Sequence, residues 1–264
     1  MKVYFLYHGS MHCDYRWIVA GNNFATRSDK SPPSVWYDCP TLTVLSDHPD
    51  GRILFDTTCP RDWEQRWAPT GLNEAFPWDT VSEDQYMDSA LAGLGIRPSD
   101  LDAVVLSHLH FDHAGNTALF AEAGVKLLAH PAEIEGVATI EGTFSGAHIK
   151  ADFEGYDIEP VDVDKELLPG VRLLWLPGHT WGTMGILFDL PNHGPLLYTG
   201  DSVFCKENYG PPVIGPGGAW STVDWFESVE KVRALAAETG AFVVFGHDSE
   251  MVHNELRLAP LHYD

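Results

Sequence analysis

Short runs of apolar and β-branched residues recur along the chain, separated by polar punctuation. Val3–Tyr7, Thr41–Leu45, Arg52–Phe55, Ala103–Leu106, Lys126–Ala129, Arg172–Leu176, Gly185–Phe188, Leu196–Thr199 and Phe242–Phe245 are mostly bounded by Gly, Pro, Asp or Asn, which predicts strands. His48-Pro49-Asp50-Gly51 joins two of these runs and predicts a hairpin turn. Helical spacing appears between strand groups. Val81, Met87, Leu91 and Leu94 share one helix face, with Gly95 as the stop. Trp225, Val229, Val232 and Ala236 form a second stripe that ends at Gly240. A third helix is expected from Asp112 to about Glu122, its acidic first residue suiting the positive end of the helix dipole. Strands, helix, strand, helix, strands, helix, strand predicts sheets covered by helices, an α/β or α+β layering.

Gly51-Arg52-Ile53-Leu54-Phe55-Asp56 weakly echoes Gly194–Asp201, and Leu101–His108 echoes Ala241–His247. Two similar halves stacked face to face would produce this, although chance would too. No Ser/Gly linker or charge block divides the sequence, so residues 1–264 are expected to form one domain.

Composition narrows the function. With 264 residues, 44% hydrophobic and 20% charged, the chain has the material for a folded core. Its 16 basic and 38 acidic residues leave a net charge of −22. Such a chain repels phosphate backbones and anionic lipid, so neither nucleic acid nor a membrane is an expected partner. Cys13, Cys39, Cys59 and Cys205 form no C-x-x-C pair, which argues against a disulfide scaffold or a zinc ribbon. The apolar start Met1–Tyr7 meets His8-Gly9 too soon for a signal peptide, and no run approaches the ~20 residues of a membrane span. The expected location is cytoplasmic.

The 13 histidines carry the chemistry. Ser107-His108-Leu109-His110-Phe111-Asp112-His113 puts four potential metal ligands directly after the apolar run Ala103–Leu106. In extended chain His108 and His110 share a side. As the chain bends, Asp112 and His113 can face a second point nearby. Imidazole and carboxylate donors suit zinc, manganese, iron or cobalt. His179, Asp201 and His247 likewise follow apolar runs, where loops commonly present functional groups. A lone histidine after a strand is usually a satisfied core or surface residue. His8, His12, His48, His130, His148, His193, His253 and His262 are read so, with His130 the least clear because Lys126–Ala129 leads into it.

Ser107–Gly115 resembles the signature motif of the metallo-β-lactamase superfamily. Pro177-Gly178-His179, Gly200-Asp201 and Gly246-His247 follow in that superfamily's order. Within it the chain is similar to the N-acyl-homoserine lactonases through Leu168–Thr180, Lys206–Tyr209 and Phe245–Asp248. The resemblance is weakest over residues 8–40 and 132–160. It implies a four-layer αββα sandwich with two divalent metal ions between the sheets, zinc first, with manganese, iron or cobalt open. His108, His110 and His179 would hold one ion, Asp112, His113 and His247 the other, and Asp201 would bridge them. The implied activity is a quorum-quenching type of hydrolysis, in which a hydroxide shared by the two ions opens a lactone ring and Asp112 protonates the leaving oxygen. Asp201 would be catalytic through the same bridge, and Asp56 would orient ligands. The expected partner is a small-molecule substrate, with the protein a monomer or homodimer.

Three positions depart from the family pattern. Thr58 stands where the family has glycine, Trp181 where a proline is common, and Phe204 where lactonases carry a tyrosine whose hydroxyl contacts the lactone. Phe204 motivates the alternative, a hydrolase of another cyclic ester, thioester or amide. Tyr37 and Tyr209 are candidates for the absent hydroxyl. Phe204, Trp36 and Tyr37 are expected at the substrate. Tyr15, Trp17 and Phe24, together with Trp63, Trp67, Phe76 and Trp78, suggest either an apolar cleft or ordinary packing. Cys205 is expected to be a small packing residue. An iron redox protein would need a second module for which the length leaves no room, and a non-catalytic metal binder sits poorly with a complete ligand set.

Overall fold

The computed structural model describes residues 1–140 and 146–264. Among them, eleven strands form two sheets. The first contains β1 (Lys2–Asp14), β2 (Trp36–His48), β3 (Gly51–Phe55), β4 (Ala103–Val105), β5 (Lys126–Ala129) and β6 (Ile158–Pro160), side by side in chain order. The second contains β7 (Glu166–Leu168), β8 (Val171–Trp175), β9 (Met184–Leu190), β10 (Gly194–Tyr198) and β11 (Phe242–Val244), also in order from one edge to the other. In each sheet the early strands pair antiparallel. Pairing becomes parallel from β3 to β6 in the first and between β10 and β11 in the second. The predicted hairpin is present: His48 pairs with Gly51 across Pro49-Asp50.

Alternation along the strands explains the layers. Ile53 and Phe55 of β3 and Ala103 and Val105 of β4 join Leu173, Ile186, Phe188, Leu196 and Tyr198 of the second sheet in one shared core. The intervening Leu54 and Val104 point the other way, under the helices Met87–Gly93 and Thr117–Glu122 through Leu91 and Phe120. On the second sheet Leu187 and Leu197 likewise face outward onto Val232 of the helix Thr222–Thr239. Both faces of each sheet are therefore covered, which is why these strands read as nearly continuous apolar runs. The result is the four-layer αββα sandwich that the resemblance implies.

Some boundaries differ from the periodicity. The 112–122 helix begins only at Thr117, because Asp112 and His113 occupy an irregular turn that aims them at the site. Val81 lies outside its expected helix, which runs from Met87 to Gly93. The helix Thr222–Thr239 matches its stripe. Ser221 caps it by accepting from the Asp224 N–H at 3.3 Å, and Gly240 ends it with a left-handed φ of 71°. No helix among the described residues is long and apolar enough to cross a membrane.

Candidate metal centre

The candidate ligands lie in the loops that follow the C-terminal ends of β4, β8, β10 and β11. His108 to His113 follow β4. Their turn is fastened by Asp56, at the end of β3, whose carboxylate accepts from the Ser107 N–H (2.7 Å), the Ser107 hydroxyl (2.8 Å) and His113 Nδ1–H (2.8 Å). Asp56 thus holds the turn and the His113 ring in place. Asp56 and Thr58 both have positive φ, 69° and 54°. That is a natural place for glycine and a strained one for β-branched Thr58.

His179 follows β8 on a loop clamped to the long helix. Ser228 donates to the Pro177 carbonyl at 2.7 Å, and the Ser221 N–H donates to the Gly178 carbonyl at 2.9 Å. Gly178 is required there: it has φ 127°, and a Cβ would lie 2.3 Å from the Trp225 backbone nitrogen. Asp201 follows β10. His247 follows β11, after Gly246, where a Cβ would lie 2.6 Å from the Gly200 carbonyl oxygen.

These seven side chains converge in two groups. Donor atoms of His108, His110, His179 and Asp201 lie within 4.8 Å of one another, and so do those of Asp112, His113, Asp201 and His247. Asp201 belongs to both. Its Oδ1 is 3.1 Å from His113 Nε2 and 3.0 Å from His247 Nε2, while Oδ2 is 3.2 Å from His179 Nε2.

The hydrogen bonds fix which ring nitrogens are free. His113 commits Nδ1–H to Asp56, and His247 commits Nδ1–H to the Pro40 carbonyl at 2.8 Å. His108 Nδ1 is 3.0 Å from the Ser107 hydroxyl, which already donates to Asp56 and so accepts from the ring. With no further proton, each ring would turn an Nε2 lone pair toward carboxylate oxygen. Nε2 of His108 and His113 and Oδ1 of Asp201 are buried without a hydrogen-bond partner. Lone pairs facing carboxylates in a buried space repel unless positive charge sits among them. Divalent cations fit this donor set, with nitrogen and oxygen ligands already oriented by outer hydrogen bonds.

Protonation of the bare protein follows the same electrostatics. Burial, then neighbouring imidazoles, pushes His108 and His110 well below the ordinary histidine range. Burial acts the same way on His113 and His247, but nearby carboxylates, Asp201 foremost, outweigh it. His113 is held well above its usual value, and His247 is raised to about 9. Burial opposes the charge of Asp201, yet His113 and His247 hold its carboxyl well below the usual range.

Beside the two groups opens a cavity of about 530 Å³, lined by His110, Asp112, His179, Asp201 and His247 at its base. Its walls are mostly aromatic and aliphatic. Phe204 is there, its ring 5.2 Å from that of His179. Of the aromatics singled out in the sequence, Trp17 and Phe76 also reach the cavity. Trp67 packs behind Phe111, Trp78 donates to the His8 carbonyl from within the core, and Phe24 is 64% exposed. Tyr37 stacks on Tyr15 and spends its hydroxyl on the His247 carbonyl at 3.0 Å, so it supports that candidate ligand from outside the cavity lining. Trp36 is 56% exposed and also lies outside the lining. Tyr209 packs against Phe245. Cys205 is buried with its thiol pushed up by desolvation, as suits a packing residue.

Of three further residues here, Trp181 was singled out in the sequence as a departure from the family pattern, whereas Glu133 was missed and His148 was set aside. Trp181 lines the cavity with its ring laid over Gly136, where a Cβ would be only 2.2 Å from the ring. Glu133, fully buried on the helix Pro131–Thr139, accepts from the backbone N–H of Leu109 and of Gly182, both at 3.0 Å. One carboxylate thereby ties the His108–His110 turn to the His179 loop. His148, read as an ordinary histidine, sits in the cavity wall. Glu133 and His148 fall within residues 132–160, where the motif signal fades.

Comparison with known proteins agrees with this architecture. Residues 36–247 match the metallo-beta-lactamase superfamily model, and the chain belongs to that superfamily. It is similar to the N-acyl homoserine lactonase AiiB of Agrobacterium fabrum (strain C58 / ATCC 33970), with 31% identity covering 94% of each chain. The N-acyl homoserine lactonase AttM of Azorhizobium caulinodans is also 31% identical, covering 100% of this chain and 99% of that one. Among solved structures, an N-acyl homoserine lactone hydrolase with N-hexanoyl-L-homoserine bound at its catalytic metal center superposes with a TM-score of 0.80. The identity is 24%, covering 99% of this chain and 98% of that one, a likeness of fold.

Proposed function

We propose that the protein is a metal-dependent lactonase acting on N-acyl-homoserine lactones, the substrates named for AiiB and AttM. The observation that carries it is the pair of donor groups sharing Asp201 at the base of an apolar cavity. His108, His110 and His179 would hold one divalent cation, and Asp112, His113 and His247 a second, with Asp201 common to both. Zinc suits this nitrogen and oxygen donor set. When bound, two such cations supply a water ionised near neutral pH and polarisation of the substrate carbonyl.

The chain's own residues do the rest. The apolar walls exclude water and receive the acyl chain, with Phe204 offering its ring to the substrate. Asp112, at the cavity base, would carry the proton given up by the attacking water to the alkoxide that leaves when the ring C–O bond breaks. The reading takes residues 1–264 as one catalytic domain. A reducing, cytoplasmic setting accords with four buried, unpaired cysteines.

The test is metal analysis together with a lactone panel on one preparation. About two equivalents of divalent metal and ring opening across acyl chain lengths are expected, with both metal and turnover falling in Asp201→Asn. Phe204, lacking a hydroxyl, favours a second reading on the same site: hydrolysis of another cyclic ester, thioester or amide. Thioester cleavage by a preparation that opens no acyl-homoserine lactone would select it.

A further inference from the structure

One flank of the cavity is built from an indole and a glycine that fit each other. The helix Pro131–Thr139 turns Glu133 and Gly136, one turn apart and both buried, toward the segment that follows His179. At Glu133 the two backbones are in close contact: the carboxylate accepts from the Gly182 N–H at 3.0 Å, and a Cβ on Gly182 would lie 2.5 Å from Glu133 Cβ. At Gly136 the helix has no side chain, and the Trp181 ring fills the gap. A Cβ there would lie 2.2 Å from Trp181 Cε3 and 2.3 Å from Cδ2. Glycine inside a helix costs about 1 kcal/mol relative to alanine, and the ring supplies the reason for it at this position.

The indole has nowhere to retreat. Its own carbonyl accepts from Trp175 Nε1–H at 3.0 Å, and the Thr180 N–H before it donates to the Thr183 hydroxyl at 2.9 Å, so the loop that carries it is fixed. Helix backbone lies behind the ring. The ring of Trp220 is 4.6 Å away and that of His148 5.7 Å. What remains accessible of this half-buried side chain belongs to the cavity, two residues beyond His179 at the base. Trp17 and Trp220, 48% and 47% exposed, stand nearer the mouth. A substrate chain that left through the mouth would meet no stop. One that runs inward past His179 meets a ring that cannot yield, and a single methylene too many in such a space costs about 1–3 kcal/mol.

We propose that Trp181, seated on Gly136, is the wall that limits the length of acyl chain the cavity admits. Trp181 determines specificity by touching the chain, and Gly136 is a positioning residue that acts through the ring. The inference rests on the lactonase reading and deepens it by assigning chain-length selection to one pair of residues.

The test compares N-hexanoyl- and N-dodecanoyl-homoserine lactone. The readout is the ratio of kcat/KM for the long chain to that for the short one, with metal content measured in each variant. Trp181→Ala opens the space in front of Gly136 and is expected to raise the ratio roughly tenfold at unaltered metal content. Trp181→Phe, a smaller ring on the same seat, is expected to raise it less, and decides the matter should the alanine variant fail to fold. Gly136→Ala places a methyl where the ring now lies, drives the indole into the cavity and is expected to lower the ratio roughly tenfold. In the double variant G136A/W181A there is no ring to displace, so the ratio is expected to stay within about twofold of the Trp181→Ala value. An unchanged ratio in the Trp181 variants, or a Gly136→Ala effect that persists once the indole is removed, would overturn the assignment. A wild-type protein that binds metal but opens neither lactone would instead overturn the lactonase reading, and this inference with it.

Discussion

At the residue scale, the histidines divide by what their ring nitrogens meet. His8 shows the contrast with the site. It is fully buried between the Gln85 carbonyl, which accepts from Nδ1–H at 2.6 Å, and the Thr43 hydroxyl, 2.8 Å from Nε2. Both nitrogens are satisfied in the neutral form, and burial lowers the pKa from 6.5 to about 4. A depressed folded value means that the contribution is fully present above pH 6.5 and is lost as pH falls through about 4. Urea unfolding at about pH 7 and about pH 4.5 is expected to show this. The loss of stability between them should be smaller in His8→Asn by about 2 kcal/mol, and equal losses would refute the account. His108, His113 and His247 differ only in having one nitrogen spoken for and the other turned toward carboxylates. That difference was legible where histidines cluster in sequence, as in Ser107–His113. It was not legible for His148, because Glu133, whose carboxylate comes within 3.5 Å of its ring, stands on a helix that no motif announced.

At the scale of elements, the site depends on where loops are pressed against their neighbours. Gly178 is the sharpest case, with positive φ and no room for a side chain against Trp225. Gly178→Ala is expected to push the His179 loop off the long helix. Metal content and hydrolysis should fall by more than tenfold, with about 2 kcal/mol or more of stability lost in urea unfolding. Wild-type metal content in that variant would show that the loop tolerates the displacement. The strands were readable because both faces of each sheet are buried, leaving apolar runs with polar ends. β1 and β2 proved far longer than their apolar centres, 13 residues each, because cross-strand pairing carries them on through Cys13, Tyr37 and Asp38. The turn at Asp112–His113 was mistaken for helix because a helix-compatible sequence there is overridden by the side chains it must aim. The short strands β6 and β7 carry too little apolar sequence to have been seen at all.

At the scale of the whole molecule, the excess of acidic groups matters more than any surface pair. Sixteen basic residues can neutralise at most sixteen of the 38 acidic ones, so most carboxylates repel across the surface. Raising sodium chloride from about 10 mM to about 0.2 M shortens the screening length from about 30 Å to under 10 Å. The Tm is expected to rise by several degrees over that range at neutral pH, and a falling Tm would mean that local ion pairs dominate instead. The resemblance foretold the order of layers because the spacing of strands and ligand loops encodes it. It pointed to Phe204 and Trp181 but not to the rest of the cavity walls, which are assembled from segments distant in the chain.

The division between those walls and the base has an evolutionary corollary. The donors follow the strand ends in turns fixed by hydrogen bonds, and Trp17, Phe76, Trp181 and Phe204 line the cavity beside them. Exchanges among these aromatics would reshape what the enzyme admits while its reactive machinery stays intact. Diversification of such a lineage would therefore proceed at the rim, by small changes in appetite rather than by invention of new chemistry.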